Sequence, residues 1–210
     1  MKKSILWLMG VLLTVSFAVS SCEETDGIVD PYTNWQERNE AFIDSIAFVA
    51  RAHEGDAVGQ WKVIHTYKYP QQGGLVGNQG NVDEYVYCKI LKVGSGETPL
   101  YTDTVAANYR GKLIPLYDGQ TVVFEQSYRG NLDENTAVPV EFSVGGVIPG
   151  WTTALLDMKV GDRWEIYIPS ALGYGKNGSG SIPGNSTLIF DLNLAKVMHM
   201  KGNPQDPSIK

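Results

Sequence analysis

Cysteine and histidine are scarce in this sequence, and their scarcity argues against two kinds of chemistry. The chain of 210 residues has two cysteines and three histidines. Two cysteines cannot build a disulfide framework or a zinc cluster made of cysteine pairs, and His53, His65 and His199 lack the spacing of metal ligands. The sequence therefore predicts no metal site, no cofactor and no thiol catalysis.

Positive charge is also in deficit. The chain has 17 basic and 23 acidic residues, which gives a formal net charge of −6. Nucleic acids and anionic bilayer surfaces attract proteins through basic patches. We therefore expect no nucleic-acid partner, and contact with a membrane only through a lipid anchor.

The motifs of common enzyme sites are missing as well. There is no Gly-x-Ser-x-Gly elbow and no His-Glu-x-x-His. The carboxylates of residues 83–84 and 133–134 stand in polar surroundings, which is typical of solvated surface rather than of an acid–base pair. The glycines of residues 173–178 match Gly-x-Gly-x-x-Gly, but residues 179–183 continue as a loop, whereas a dinucleotide site needs a helix there.

The N-terminus has the pattern of a lipoprotein signal peptide, predicted to be residues 1–21. A basic start precedes an apolar run of about 15 residues, which is shorter than the roughly 20 that span a bilayer. The small Ser21 before Cys22 resembles a lipoprotein processing site, which implies cleavage there and lipidation of Cys22. We expect an extracytoplasmic protein anchored to a bacterial membrane, the outer membrane facing periplasm or cell surface. An uncleaved anchor helix and secretion with a free Cys22 are the alternatives.

Residues 22–33 are acidic and rich in turn formers, so they are predicted to be the lipid anchor and its tether. A helix is predicted over residues 34–54, because Asn34 and Glu37 have capping-box spacing and apolar residues follow at helical steps. The stripe consists of Trp35, Phe42, Ile46 and Val49. Such a stripe packs on its own domain or pairs with the same helix of a second copy, so a homodimer stays open.

Alternating residues predict an accessory strand over residues 61–69. The glycine-rich residues 71–82 lack the Lys-Ser/Thr of a phosphate-binding loop and are predicted to be a surface loop, so that residues 34–83 form an N-terminal unit.

Further strands are predicted over residues 85–93, 105–109, 112–116, 121–125, 138–144, 162–168 and 187–197. One short helix, Trp151 to Met158, lies between them. An antiparallel sheet over one helix is an α+β fold, in which Cys88 is predicted to be a buried small hydrophobe.

Several ordered blocks carry a family resemblance. They are Asn108-Tyr109-Arg110-Gly111-Lys112-Leu113, Val147-Ile148-Pro149-Gly150-Trp151, Met158-Lys159-Val160-Gly161-Asp162-Arg163-Trp164, Ile168-Pro169 with Leu172 and Tyr174-Gly175, and Ile182-Pro183 with Ser186-Thr187-Leu188-Ile189-Phe190-Asp191-Leu192. From about Glu84 to Val197 the sequence resembles the FKBP-type peptidyl-prolyl cis–trans isomerases. The resemblance implies a five- or six-stranded antiparallel sheet curled around the short helix in residues 84–197, with residues 198–210 as a flexible tail.

The resemblance also implies an apolar pocket and assigns its residues. The catalytic positions would be Tyr109, Phe124, Glu125, Ile148, Trp151, Tyr174 and Phe190. Substrate binding would involve Val140, Val147, Ile148, Trp151, Tyr174 and Ile182. Trp151 would form the floor, while the backbone N–H of Ile148 and the hydroxyl of Tyr174 would each hold a substrate carbonyl. The alternative is that these side chains are only core.

Four departures from the family pattern affect this pocket. Glu125 replaces the usual Asp, Val140 replaces an aromatic residue, the loop 175–183 is a residue short, and residues 131–138 look inserted. The predicted function is a prolyl isomerase that assists the folding of exported proteins. Its partners would be proline-containing unfolded polypeptides, with macrolides as possible ligands. The alternative is a catalytically weak peptide-binding module or holdase chaperone.

Overall fold

A computed structural model describes residues 29–68 and 81–200. The predicted signal peptide, Cys22, most of the glycine-rich loop and residues 201–210 lie outside these ranges. The helices are α1 (Trp35–Ala52) and α2 (Pro149–Leu155). The strands are β1 (Trp61–His65), β2 (Tyr85–Lys92), β3 (Thr104–Leu113), β4 (Val123–Gln126), β5 (Val140–Ser143), β6 (Arg163–Ile168) and β7 (Leu188–Met198).

The strands form a seven-stranded sheet in the order β1-β2-β6-β7-β3-β4, with β5 also pairing with β3. Every pairing is antiparallel. The predicted α+β architecture is confirmed, with six strands from β2 onwards. The accessory strand β1 extends the same sheet at its edge, but it ends at His65, short of its predicted end.

Two predicted strands, residues 105–109 and 112–116, belong to one continuous strand, β3, which ends at Leu113, so the predicted break and the predicted end at 116 are wrong. Gly111, inside this strand, has a packing role. A Cβ atom at position 111 would lie 2.5 Å from Cε2 of Phe124 and 2.7 Å from Cε1 of Phe190. Gly111 therefore lets two aromatic rings approach the strand, which is a recurrent reason for glycine inside a sheet.

Helix α2 packs on one face of the sheet. Along β6, Trp164, Ile166 and Ile168 are buried and alternate with Arg163, Glu165 and Tyr167 on the other face. The helix begins at Pro149 in its first turn and ends at Leu155, so its predicted end at Met158 is three residues late. Met158 is fully buried nonetheless, in the turn that follows.

Helix α1 covers the opposite face. The Phe42 and Tyr167 ring centroids lie 6.2 Å apart, and those of Trp61 and Tyr167 lie 5.5 Å apart. The predicted helix is confirmed, but its predicted stripe is partly wrong, because the residues buried most deeply are Trp35, Asn39, Ile43, Ala47 and Ala50. Small alanines allow this face to approach the sheet, while Val49 stays 40% exposed.

The predicted capping box at the start of α1 is also wrong. Asn34 adopts the left-handed conformation (φ 50°) and its side chain caps no backbone N–H. Asparagine tolerates this conformation better than most residues. A turn built on Asp30 precedes it, in which the Thr33 N–H donates to the Asp30 carbonyl at 2.9 Å.

Polar contacts join α1 to the segment that leads into β7. The Trp35 Nε1–H donates to Ser186 Oγ at 3.0 Å, and the Thr187 N–H donates to Asn39 Oδ1 at 2.7 Å. Since these groups are buried, the N-terminal helix and the curled sheet share one core.

At the end of α1, Nδ1 of His53 lies 2.9 Å from the Val49 carbonyl. The prediction for Cys88 is confirmed. Cys88 is fully buried, and desolvation raises the pKa of its thiol. None of the helices in residues 29–68 and 81–200 has the length and apolarity needed to cross a membrane.

Candidate active site

A pocket of about 360 Å³ opens between β3, β5, β7 and the start of α2. Its walls are Tyr109, Glu125, Phe142, Gly146, Val147, Ile148, Trp151, Tyr174 and Phe190. Most of these side chains are apolar or aromatic, so the pocket favours an apolar ligand group and excludes water from it.

Trp151 forms the floor of the pocket. It is 4% exposed and lies in the first turn of α2, directly after Pro149 and Gly150. The rings of Tyr109, Phe142 and Phe190 meet it edge to face, with centroid distances of 5.3, 5.2 and 5.2 Å. Such arrangements are favourable for aromatic quadrupoles, and together they hold the indole rigidly.

Gly150 explains how the floor comes so close to the sheet. A Cβ atom at position 150 would lie 2.3 Å from Cγ2 of Ile168. Without a side chain there, the first turn of α2 rests directly on β6. The glycine before Trp151 therefore sets the depth of the pocket.

Two hydrogen-bond donors stand at the rim. The backbone N–H of Ile148, at the N-cap of α2, has no acceptor among the residues that the structure describes, as is usual for helix N-termini. Tyr174 is 36% exposed, and desolvation, with a smaller effect of Glu125, raises the pKa of its hydroxyl. The hydroxyl therefore remains protonated at neutral pH and can donate to a carbonyl.

Glu125 is exposed at the mouth of the pocket, on β4. Burial, with a smaller effect of the neighbouring Glu125 carboxylate, raises the pKa of Tyr109 well above its usual value. Tyr109 and Glu125 line the same side of the pocket mouth. The longer side chain at position 125 still reaches the pocket wall.

The chemistry available here is binding and desolvation. Within the described ranges, no group of three or more His, Cys, Asp or Glu side chains could hold a metal ion. The pocket itself contains one carboxylate and no histidine, lysine or cysteine. The pocket offers an apolar surface that excludes water and two hydrogen-bond donors, which suit a reaction without proton transfer.

The family profile of the FKBP-type peptidyl-prolyl cis-trans isomerases matches residues 96–195. Residues 96–195 are an FKBP-type domain. All the strands from β3 to β6, helix α2 and most of β7 lie within this range, together with every residue of the pocket. Helix α1 and strand β1 precede the matched range as an N-terminal extension.

Relatives and a solved structure agree with the FKBP-type assignment. The chain is 39% identical over 133 residues to the FKBP-type 22 kDa peptidyl-prolyl cis-trans isomerase of Escherichia coli K12, covering 62% of this chain and 59% of the relative. It is 41% identical over 110 residues to the outer membrane protein MIP of Legionella longbeachae, covering 52% and 42%. The crystal structure of FkpA from Escherichia coli is similar with a TM-score of 0.54 and 32% identity, covering 79% of this chain and 62% of that one. The chain thus spans less than two thirds of each of these proteins.

The structure brings most of the predicted residues together in the FKBP-type pocket. Those in its wall are Tyr109, Glu125, Val147, Ile148, Trp151, Tyr174 and Phe190. Trp151 lies among them, and the roles of all these residues in catalysis and binding stay predictions. The joint arrangement favours a pocket over the alternative that these side chains are only core.

Three predicted residues lie outside this wall, and their roles also stay predictions. Phe124 stands behind Phe190, in an edge-to-face contact with centroids 5.5 Å apart. Ile182 is 8% exposed and turns into the core, because its loop closes through paired backbone hydrogen bonds with Ser179. Val140 is 40% exposed near the end of β5.

Two wall residues were not predicted. Phe142 lies two residues after Val140 on β5, so strand alternation places both on one face and could have indicated it. Gly146 contributes backbone alone, and no pattern in the sequence marks such a position. Phe142 supplies an aromatic wall next to the valine.

Proposed function

We propose that this protein is a peptidyl-prolyl cis–trans isomerase that assists the folding of exported proteins, with the FKBP-type pocket as its active site. The observation that carries the proposal is the set of aromatic rings around Trp151, with two hydrogen-bond donors at the rim of the pocket. Its substrates would be proline-containing unfolded polypeptides, and macrolides with a proline-like ring would compete for the same pocket.

The mechanism follows from the physics of the amide bond. Rotation about the bond before proline disrupts resonance across a barrier of about 18–20 kcal/mol. The twisted amide has lost charge separation, so a dry aromatic pocket favours it over the planar ground state. The Ile148 N–H and the Tyr174 hydroxyl would hold carbonyls on either side of the rotating bond. A barrier lowered by about 5–6 kcal/mol gives an acceleration of about 10⁴-fold.

A pair of tryptophan variants tests this proposal. Trp151 and Trp164 are both buried, and neither indole N–H has a partner in the part of the chain that the structure describes. Only Trp151 lies in the aromatic pocket. We expect Trp151→Phe to lower kcat/KM for a prolyl peptide about tenfold, equivalent to about 1.4 kcal/mol of transition-state stabilisation.

Trp164→Phe is the matched control, and it should leave kcat/KM within about twofold of wild type, a change below 1 kcal/mol. Thermal unfolding of both variants would show whether they fold. Equal activity of the two variants, or a wild-type rate no faster than the uncatalysed rate, would overturn the proposal.

A second candidate function is a binding module or holdase that uses the same pocket without turnover. Glu125 favours it, because the family usually has the shorter Asp at this mouth position. This hypothesis predicts suppression of client aggregation that survives Tyr174→Phe, and no isomerisation by the wild-type protein. The proposed isomerase instead loses rate in Tyr174→Phe.

We also propose that the mature protein is anchored by lipid at Cys22, outside the cytoplasm. The basic and apolar N-terminal sequence supports this, as does the similarity to a protein named as an outer membrane protein. Cys22→Ser should move the protein from the membrane fraction to the soluble fraction. Cys88→Ser, a control at the buried cysteine, should leave the protein at the membrane.

A homodimer through residues 34–54 stays a proposal, and the structure restricts its geometry. The inner face of α1 packs on the chain's own sheet, so a partner would have to contact the outer face, where Phe48 is 78% exposed. Sedimentation velocity of wild type and Phe48→Glu tests it. A dimer would dissociate in the variant, whereas identical sedimentation would exclude this contact.

A further inference from the structure

Two exposed tyrosines form a pair beside the active-site pocket. Tyr67 is 41% exposed and Tyr101 is 49% exposed, and their ring centroids lie 5.7 Å apart. Tyr67 follows β1 in the N-terminal extension, and Tyr101 lies just before β3 in the FKBP-type domain. The pair therefore joins the extension to the domain at the surface.

The Tyr101 ring rests on the backbone that leads into the pocket wall. A Cβ atom at Gly145 would lie 2.7 Å from both Cε1 and Cζ of Tyr101, so the ring covers the Cα of this glycine. The next residue, Gly146, is part of the pocket wall. Adjacent Cα atoms are about 3.8 Å apart, so the aromatic pair begins one residue beyond the pocket.

No side chain separates the pair from the pocket along this path, because positions 145 and 146 are both glycine. The tyrosine surface and the pocket wall are thus continuous. A chain whose proline occupies the pocket and which leaves it over Gly146 would pass the rings of Tyr101 and Tyr67.

The chemistry of the pair suits a polypeptide. Within the described residues, neither the Tyr67 nor the Tyr101 hydroxyl has a hydrogen-bond partner. Tyrosine combines an apolar ring with a polar tip, which is why it is enriched where proteins bind other chains. The half-exposed rings can pack against an apolar side chain while the hydroxyls bond to neighbouring amides.

We propose that Tyr67 and Tyr101 form a second substrate subsite, which binds an aromatic or large aliphatic side chain two or three residues from the proline. The inference rests on the proposed function. An extended chain advances about 3.3–3.6 Å per residue, so two or three residues reach about 7–11 Å from the proline, beyond the step of about 3.8 Å from Gly146 to Gly145, on which Tyr101 rests. The N-terminal extension thereby takes part in substrate selection through Tyr67.

The test compares prolyl peptides that differ at one position. One peptide has alanine at the flanking positions, and the others carry phenylalanine at the second or third position before or after proline. For the wild-type protein we expect kcat/KM to be about fivefold higher for at least one phenylalanine peptide than for the alanine peptide. Tyr67→Ala and Tyr101→Ala should each reduce this ratio to near one.

Tyr117→Ala is the matched control, since Tyr117 is a 59% exposed tyrosine in another part of the chain. It should retain the preference. A preference absent in the wild type, or unchanged in both Tyr67→Ala and Tyr101→Ala, overturns the subsite. A wild-type protein that sediments as a dimer and a Tyr101→Ala variant that sediments as a monomer would place the pair in an interface between two copies of the chain. This result overturns the subsite as well.

Calorimetric titration with the same peptides separates this inference from the proposed function. Isomerisation without any phenylalanine preference leaves the proposed function intact and contradicts the subsite. Binding that prefers phenylalanine and loses the preference in Tyr67→Ala, without isomerisation, supports the subsite and contradicts the proposed function.

Discussion

At the scale of single residues, the pocket depends on positions that have no side chain as well as on its aromatic rings. Gly111 allows Phe124 and Phe190 to meet edge to face against β3, and Phe190 in turn contacts Trp151. A methyl group at position 111 would push these rings apart. The floor of the pocket would then lose one of its supports.

We expect Gly111→Ala to lower the free energy of unfolding by about 1–3 kcal/mol, the usual range for overpacking in a core. Urea denaturation followed by tryptophan fluorescence measures it. Gly146→Ala is the control, because a Cβ atom there would meet only the Ser143 side chain, at 3.3 Å. Equal stability of the two variants would contradict the packing role of Gly111.

The pH dependence of activity is a second prediction for the pocket residues. Desolvation is the largest cause that raises the pKa of both Tyr109 and Tyr174 above the ordinary value of about 10. Both hydroxyls therefore stay protonated at neutral and mildly alkaline pH. We expect kcat/KM to be constant from about pH 6 to about pH 9, and a bell-shaped profile in that range would indicate proton transfer instead.

At the scale of elements, a histidine links the end of β7 to the segment that precedes β3. His199 follows β7 directly, and its side chain is 3% exposed. Its Nδ1 lies 2.8 Å from Asp103 Oδ2, and its Nε2 lies 3.1 Å from Glu97 Oε2. The hydrogen bond with Glu97, and then that with Asp103, raise the pKa of His199 against the opposing effect of burial.

This arrangement predicts a pH-dependent stability. Because the pKa of His199 is raised in the folded state, the stabilisation is complete below the unfolded value of about 6.5 and is lost as pH rises through the folded value. The difference in Tm between wild type and His199→Gln should be larger at about pH 6 than at about pH 9. His53→Gln, at the end of α1, is the control, because His53 has no carboxylate partner in the described part of the chain. A difference in Tm for His199→Gln that does not change with pH would contradict the role of the charge.

Most elements were predictable from the sequence because local patterns determine them. The alternation along β6 and β7 defined those strands to within one residue at each end. The errors arose where tertiary packing decides: the continuity of β3 through Gly111, the buried face of α1, and the conformation of Asn34. The pocket followed from ordered family blocks, whereas the positions of Ile182 and Phe124 depend on loop closure and ring packing that no short pattern records.

At the scale of the whole molecule, the N-terminal extension is part of the same folded unit as the FKBP-type domain. Trp35 is 8% exposed, and its indole N–H donates a hydrogen bond to Ser186. Its ring meets the Tyr32 ring edge to face, with centroids 5.1 Å apart. Strand β1 is hydrogen-bonded to β2 along five residue pairs, from Trp61 to His65. The curled sheet therefore has helices on both faces.

Removal of a large side chain from the extension should destabilise the whole chain. We expect Trp35→Ala to cost about 3–5 kcal/mol, as is usual for a large buried aromatic residue, in one unfolding transition. Far-ultraviolet circular dichroism and tryptophan fluorescence should report the same midpoint in urea. Two separate transitions, with the second one unaffected by the substitution, would show that the extension folds independently.

We propose that the pocket around Trp151 rotates prolyl bonds rather than only binding them. Exchange NMR spectroscopy of a prolyl peptide mixed with a small fraction of the protein measures this directly, since uncatalysed rotation takes tens to hundreds of seconds. We expect exchange cross-peaks between the cis and trans forms of the peptide, strongly reduced in Trp151→Phe and retained in Trp164→Phe. NMR chemical shifts of the peptide that change on binding, without any exchange between the cis and trans forms, would contradict catalysis by this pocket.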